Sequence, residues 1–166
     1  MEEYRKKIKN LSEINKEIKA LKAEGKRIVF TNGCFDLLHP GHLRYLYAAR
    51  QMGDYLVVAV NTDRSVKAIK GENRPIQSQD ERTELLAALS FVDAVVLFDE
   101  DNPLKLIQQL LPDVLVKGGD WTENTIIGAD VVQKAGGVVK SLPFVAGYST
   151  TAMIGKIRNT QQCEPV

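Results

Sequence analysis

The rhythm of apolar positions along the chain changes once, near residue 26. Before it, Leu11, Ile14, Ile18 and Leu21 recur at three- and four-residue spacing among Lys and Glu, and Gly25 offers a stop. Residues 1–25 therefore predict one amphipathic helix, which must pack on its own domain or on a partner chain. Beyond it, short β-rich runs alternate with helical stretches. Strands are expected over 27–31 (RIVFT), 55–61 (YLVVAVN), 93–98 (DAVVLF), 113–116 (DVLV) and 137–142 (GVVKSL). Helices are expected over 41–52, from a Ser78-x-x-Glu81 capping box through Leu89, and around 103–110, 125–135 and 149–158. The strand runs are nearly continuous Val, Ile and Leu, as in strands buried on both faces of a parallel sheet. Regular alternation of β and α then gives a doubly wound parallel α/β fold with right-handed crossovers. A single domain over 26–159 is expected, preceded by the helix and followed by a short tail, 160–166. Arg64–Ser78, with Lys67, Lys70, Gly71, Arg74 and Pro75, reads as a mobile loop.

Composition narrows the class. The 166 residues are 44% hydrophobic and 26% charged, enough for one core and little more. Lys plus Arg number 22 against 21 Asp plus Glu, so nothing suggests a surface that coats nucleic acid or a membrane. No uncharged apolar run approaches the ~20 residues of a membrane helix. The opening MEEYRKKIKN lacks the apolar core of a secretory signal, and Cys34 and Cys163 suit a reducing, cytoplasmic setting.

Open parallel sheets bind ligands beyond the carboxyl ends of their strands, which draws attention to the loop after the first long strand. It reads Thr31-Asn32-Gly33-Cys34-Phe35-Asp36-Leu37-Leu38-His39-Pro40-Gly41-His42. Pro40 fits the first turn of a helix, and His39 and His42, three residues apart, can face one point there. Free N–H groups and the helix dipole converge on the same point, which makes a phosphate site. A zinc site from Cys34, His39 and His42 lacks a fourth ligand and the usual spacing. Neither G-x-G-x-x-G nor G-x-x-x-x-G-K-[ST] is present, so phosphate is not held in either of those ways. Asn32, Gly33 and Cys34 offer backbone N–H groups, and the glycine permits close approach. Ser149-Thr150-Thr151 opens the last helix as an N-cap, as a second phosphate-facing tip, or as both. Lys117-Gly118-Gly119-Asp120-Trp121 follows a strand end, with Trp121 read as packing.

The stretch TNGCFDLLHPGHLRYL resembles the signature of the H-x-G-H nucleotidylyltransferases, here His39-Pro40-Gly41-His42. Four further segments, NTDRSVKAIKGENRPI, DERTELLAALSFVDAVVLFDEDNP, DVLVKGGDW and AGYSTTAMIGKIRN, extend the likeness over about 10–159. It is closest to the adenylyltransferase domain of the bacterial heptose pathway, in a form without the sugar-kinase domain. The resemblance implies a Rossmann-like fold and transfer of AMP from ATP, carried with Mg2+, to D-glycero-β-D-manno-heptose 1-phosphate. ADP-heptose and pyrophosphate would be released, for lipopolysaccharide core precursors. It assigns catalysis to His39, His42 and Lys70. Nucleotide and phosphate contacts would fall to Thr31, Asn32, Gly33, Cys34, Phe35, Gly41, Lys117, Gly118, Asp120, Tyr148, Ser149, Thr150 and Thr151. Asp36, Asp63 and Arg82 are expected at the acceptor, although Asp36 also suits a loop cap and Arg82 an exposed helix face. No residue is expected to ligate the metal directly. A homodimer through the first helix remains open, and no nucleic-acid or membrane partner is implied. The rival readings are a cytidylyltransferase acting on glycerol 3-phosphate or a similar acceptor, and a nucleotide-binding module without catalysis.

Overall fold

The computed structural model describes residues 3–119, 121–143 and 145–160. Six strands, all parallel, form one sheet in the order β1-β4-β3-β2-β5-β6. They are β1 (Ile8–Lys9), β2 (Ile28–Gly33), β3 (Tyr55–Asn61), β4 (Ala94–Phe98), β5 (Val114–Gly118) and β6 (Val138–Leu142). Helices α1 (Leu11–Ala23), α2 (Pro40–Arg50), α3 (Asp63–Lys70), α4 (Gln79–Ala87), α5 (Leu104–Leu110), α6 (Ala129–Lys134) and α7 (Thr150–Thr160) complete the chain.

The period-two alternation of the strands sorts their side chains into two cores. Ile28, Phe30, Val57, Ala59 and Leu115 point to one face, where Ile14 and Ile18 of α1 and Ile107 of α5 cover them. Val29, Leu56, Val58, Val60 and Val116 point to the other, under Leu46 of α2 and Leu86 of α4. From β2 the chain steps outward through β3 to β4, then returns to place β5 on the other side of β2. The carboxyl ends of β2 and β5 therefore border the crevice where the winding reverses, the usual ligand site of such sheets.

Three expectations need correction. Residues 1–25 are not one helix. A 3-10 turn (Glu3–Lys7) leads into β1, whose Ile8 pairs with Val95 of β4. The helix begins only at Leu11, where Asn10 accepts from the Glu13 N–H and the Glu13 carboxylate accepts from the Asn10 N–H. Its apolar stripe is spent on its own sheet. Within the expected mobile loop, Asp63–Lys70 is helical, because Thr62 caps it by accepting from the Ser65 N–H and Val66 is fully buried. The helix expected over 125–135 begins only at Ala129, after a 3-10 turn at Glu123–Thr125. Gly128 sits between them at φ +87°, where a Cβ would lie 2.7 Å from Ile107 Cδ1.

Since Ile14 is fully buried while Leu11 is exposed, we expect Ile14→Ala to cost about 2–5 kcal/mol and Leu11→Ala well under 1 kcal/mol. Urea unfolding followed by circular dichroism reads both, and similar small losses would mean that α1 is not part of this core.

Candidate active site

A cleft of about 800 Å³ opens over the carboxyl ends of β2 and β5. Its floor is Asn32, Gly33 and Cys34, and the amino ends of α2 and α7 face it from above. Two contacts hold those helix tips together. The Thr150 hydroxyl donates to the Asp36 carbonyl at 2.7 Å, and Gly41 lies so near Tyr148 that a Cβ would sit 3.1 Å from the tyrosine Cβ. Ser149 accepts from the Ala152 N–H and caps α7. The turn after β2 is bent sharply, with Phe35 at φ 49° and Leu37 at φ 53°, a backbone state that collects at functional loops.

The two histidines meet as a stacked pair, ring centroids 3.8 Å apart and 19° from parallel. His39 is the N-cap of α2, and its Nδ1 accepts from the His42 N–H at 3.4 Å. A ring that accepts at Nδ1 carries its proton on Nε2 when neutral. His42 Nδ1 is buried and has no partner among the described residues, so a proton on Nε2 leaves only a lone pair orphaned there. Phe35 meets the His42 ring edge-on, 5.6 Å away, and Tyr148 continues the stack beyond His39 at 6.3 Å. Arg44 lies 5.4 Å from the Tyr148 centroid, as a cation over its face. Burial lowers the pKa of His39, and burial together with the neighbouring His39 pushes His42 down to about 4, against a smaller pull from Asp36. The free pair is therefore neutral at pH 7.

The cations around this pair fall into two kinds. Arg82 and Arg74 are tied to carboxylates: Arg82 Nη2 to Asp63 at 2.8 Å and Arg74 Nε to Asp36 at 2.7 Å. Lys70 and Lys117 have no carboxylate partner among the described residues. Lys117 reaches only the carbonyl and side-chain oxygens of Asn32, at 3.4 and 3.3 Å. Burial depresses its pKa, and Lys70 adds to that. The Cys34 thiol lies among all four cations, yet burial outweighs them and raises its pKa.

The cleft brings together most of the residues singled out in the sequence. Asn32, Gly33, Cys34, Phe35, His39, Gly41, His42, Lys70, Lys117, Gly118, Tyr148, Ser149, Thr150 and Thr151 all line it. Asp120 lies outside the described residues. Thr31 is fully buried, its hydroxyl 2.5 Å from that of Tyr45, and it does not line the cleft.

Of the three residues expected at the acceptor, Asp36 lines the cleft and Asp63 and Arg82 do not. Arg82, far from being an exposed helix residue, is fully buried. Its guanidinium donates to the Cys34, Asn61 and Gln77 carbonyls as well as to Asp63. Four of its five N–H donors are used in this way and none of its surface is exposed, so it pins the loops after β2 and β3 to the start of α4 instead of meeting a sugar phosphate. Asp63 serves the same pin. Asp36 is buried and accepts from Arg74 Nε and from the N–H groups of Ile76 and Gln77. Burial opposes its ionisation, but those hydrogen bonds prevail and its pKa is lowered.

Arg74, Tyr45 and Arg44 were not identified from sequence. Tyr45 falls three residues after His42, on the inward face of α2, a spacing that could have flagged it. Its hydroxyl also donates to the Val116 carbonyl, joining α2 to β5. Nothing local marks Arg74, whose partner stands 38 positions away.

Residues 30–164 match the cytidylyltransferase-like family, and this chain belongs to it. Among curated relatives, the bifunctional protein HldE of Geotalea uraniireducens is 56% identical over 152 residues, covering 92% of this chain and 31% of that protein. The HldE of Mesorhizobium japonicum is 57% identical over 141 residues, 85% of this chain and 28% of that protein. The chain thus spans about a third of the length of the curated relatives it matches. A lipopolysaccharide core biosynthesis protein from Thermoplasma volcanium has a crystal structure similar to this one. It is 31% identical with a TM-score of 0.58, covering 73% of this chain and 98% of that one. The pantoate-beta-alanine ligase of Francisella tularensis, at 14% identity and TM-score 0.60, shares the fold. Among the described residues no helix is long and apolar enough to cross a membrane.

Two measurements check this electrostatic picture. A histidine whose folded pKa is depressed contributes stability that is complete above the unfolded value of about 6.5 and lost as pH falls toward the folded value of about 4. Over that window the wild type should lose ~3 kcal/mol more stability than His42→Asn, read as the difference between their urea curves; parallel pH profiles would contradict the buried neutral ring. Arg82→Met leaves Asp63 and three carbonyls without their donor, and we expect a loss of about 3–5 kcal/mol by the same assay.

Proposed function

We propose that this chain transfers AMP from ATP to the phosphate of a sugar 1-phosphate, D-glycero-β-D-manno-heptose 1-phosphate, giving ADP-heptose and pyrophosphate. The observation that carries the reading is the neutral histidine pair stacked at the tip of α2, opposite the capped tip of α7. The resemblance to the heptose-pathway adenylyltransferase domain and the relation to the Thermoplasma volcanium protein support the acceptor class.

The chemistry asks little of the protein as an acid or base. A sugar phosphate has a second pKa of ~6, so its oxygen arrives ionised at neutral pH. That oxygen attacks the α-phosphorus in line, the bond to the β-phosphate bridging oxygen breaks, and pyrophosphate leaves with the electron pair. No protein group is acylated or phosphorylated. The chain supplies alignment and donors where negative charge accumulates. His39 and His42, with protons on Nε2, donate to the α-phosphate and the bridging oxygen. The N–H groups of α7 and the hydroxyls of Ser149 and Thr151 receive the departing phosphates, and Lys70 closes over them.

Magnesium would accompany ATP. The described residues hold no group of three or more His, Cys, Asp or Glu fit to cage a metal, so the phosphates and water would supply its ligands. Bound there, it would neutralise charge on the leaving pyrophosphate.

Pyrophosphate release, measured with ATP and CTP against sugar 1-phosphates and glycerol 3-phosphate, tests the reading. Release with ATP and the heptose 1-phosphate supports it. Release with CTP and glycerol 3-phosphate establishes the cytidylyltransferase alternative, and nucleotide binding without release under any pairing leaves a non-catalytic module. We expect His42→Ala to lower kcat by roughly 10²–10³, about 2.7–4 kcal/mol, with the pH dependence of the reaction unchanged. Rescue of that variant by imidazole acting as a base would overturn the histidine assignment.

A further inference from the structure

We infer that Lys117 is the cation that binds the α-phosphate of the nucleotide, the phosphate that undergoes transfer. The inference rests on a nucleotide occupying the cleft, and it begins from a cost. A mostly buried ammonium is expensive unless an anion or several acceptors surround it. Arg74 and Arg82 have carboxylates; Lys117 has two long contacts to Asn32 and no carboxylate among the described residues. Lys117 is thus a largely desolvated positive charge short of a counter-ion among the described residues, in the cleft over the carboxyl ends of β2 and β5. Such pre-placed charge stabilises an incoming anion without reorganisation.

Topology says which phosphate. Lys117 belongs to β5, next to last in that strand, but its ammonium reaches across to Asn32, next to last in β2. It therefore spans the switch point itself, beside Gly33 and Cys34, which line the cleft. On one side of this point lie the α2 and α7 tips and the histidine pair, neutral donors suited to the outer phosphates, the bridging oxygen and the near side of the α-phosphate. On the other lies the apolar wall of the cleft, with Gly118, the exposed Trp121 and Ile127, suited to a nucleoside. A nucleotide stretched from that wall to the helix tips crosses the Lys117 ammonium at its first phosphate. The depressed pKa of Lys117 agrees with a cation that has no counter-ion in the free protein.

The test compares adenosine, AMP and ATP binding to wild type and to Lys117→Met by titration calorimetry. The variant removes a buried unpaired charge while keeping the aliphatic stem, so it should melt no lower than wild type, which separates lost binding from lost folding. Wild type should bind AMP at least tenfold tighter than adenosine. Lys117→Met should bind adenosine as wild type does and AMP no tighter than adenosine, and Lys117→Arg should restore part of the difference. An unchanged AMP-to-adenosine ratio overturns the inference. So does a loss confined to ATP, which would place Lys117 on the outer phosphates, and so does weakened adenosine binding, which would place it on the nucleoside. If wild type binds no adenine compound but binds cytidine, CMP and CTP, the ATP reading fails and the same comparison in that series decides Lys117. Binding of neither series overturns both.

Discussion

Everything in the cleft depends on a guanidinium that no substrate can reach. Arg82 is surrounded by carbonyls from three separate segments and one carboxylate, and every one of them needs a donor. Buried carbonyls without partners are costly, so these segments cannot drift apart without exposing or orphaning them. The result is a fixed relation between the turn after β2, the end of β3 and the start of α4. Asp36 extends the tie by gathering the backbone of residues 76 and 77 and the side chain of Arg74. Phosphate chemistry of this kind is mostly positioning, and positioning here is a property of buried polar bonds rather than of the residues that meet the ligand.

The second organising feature is an imbalance of charge by depth. Asp36 and Asp63 are committed to arginines, whereas Lys70, Lys117 and two neutral imidazoles are left facing the cleft. The floor of the cleft thus offers donors and cations, while the exposed Asp101 is a lining carboxylate without an arginine partner among the described residues. Keeping the imidazoles neutral limits the repulsion that four formal cations in one cleft would create. It also keeps them as donors whose strength grows as charge builds on the phosphate oxygens.

Much of the architecture was legible in the sequence because it depends on short-range rules. β3 was bounded correctly at both ends, and the Ser78–Glu81 capping box and Pro40 marked true helix starts. What escaped depends on partners far along the chain. β1 is two residues long, too short for any alternation to show, and exists because β4 offers an edge. α3 was hidden by the lysines it carries and by the Gly and Pro residues that follow it. Arg82 looked like a surface residue because its neighbours Asp80, Glu81 and Glu84 are polar, and nothing within five residues forecast Cys34 or Asn61 as its partners. That the loop after β2 would border the cleft was legible, since a strand, a glycine and a proline-started helix place it at the carboxyl edge of the sheet. The acceptor contacts were not, since a polar residue near a cleft can as easily support its walls as face its contents.

Gly41 shows how packing can dictate a motif. Its missing side chain leaves room for the His39 ring, whose Nδ1 would lie 2.9 Å from a Cβ there, and for Tyr148 arriving from α7. Even alanine would wedge the imidazole away from its capping position or push the two helix ends apart. Gly41 thus contributes by its smallness, which lets two remote parts of the chain meet beside one cleft. Any attempt to reshape this cleft would do better to begin at the rim, where Ile69 and Trp121 are half exposed, than inside the four residues 39–42 of fixed volume.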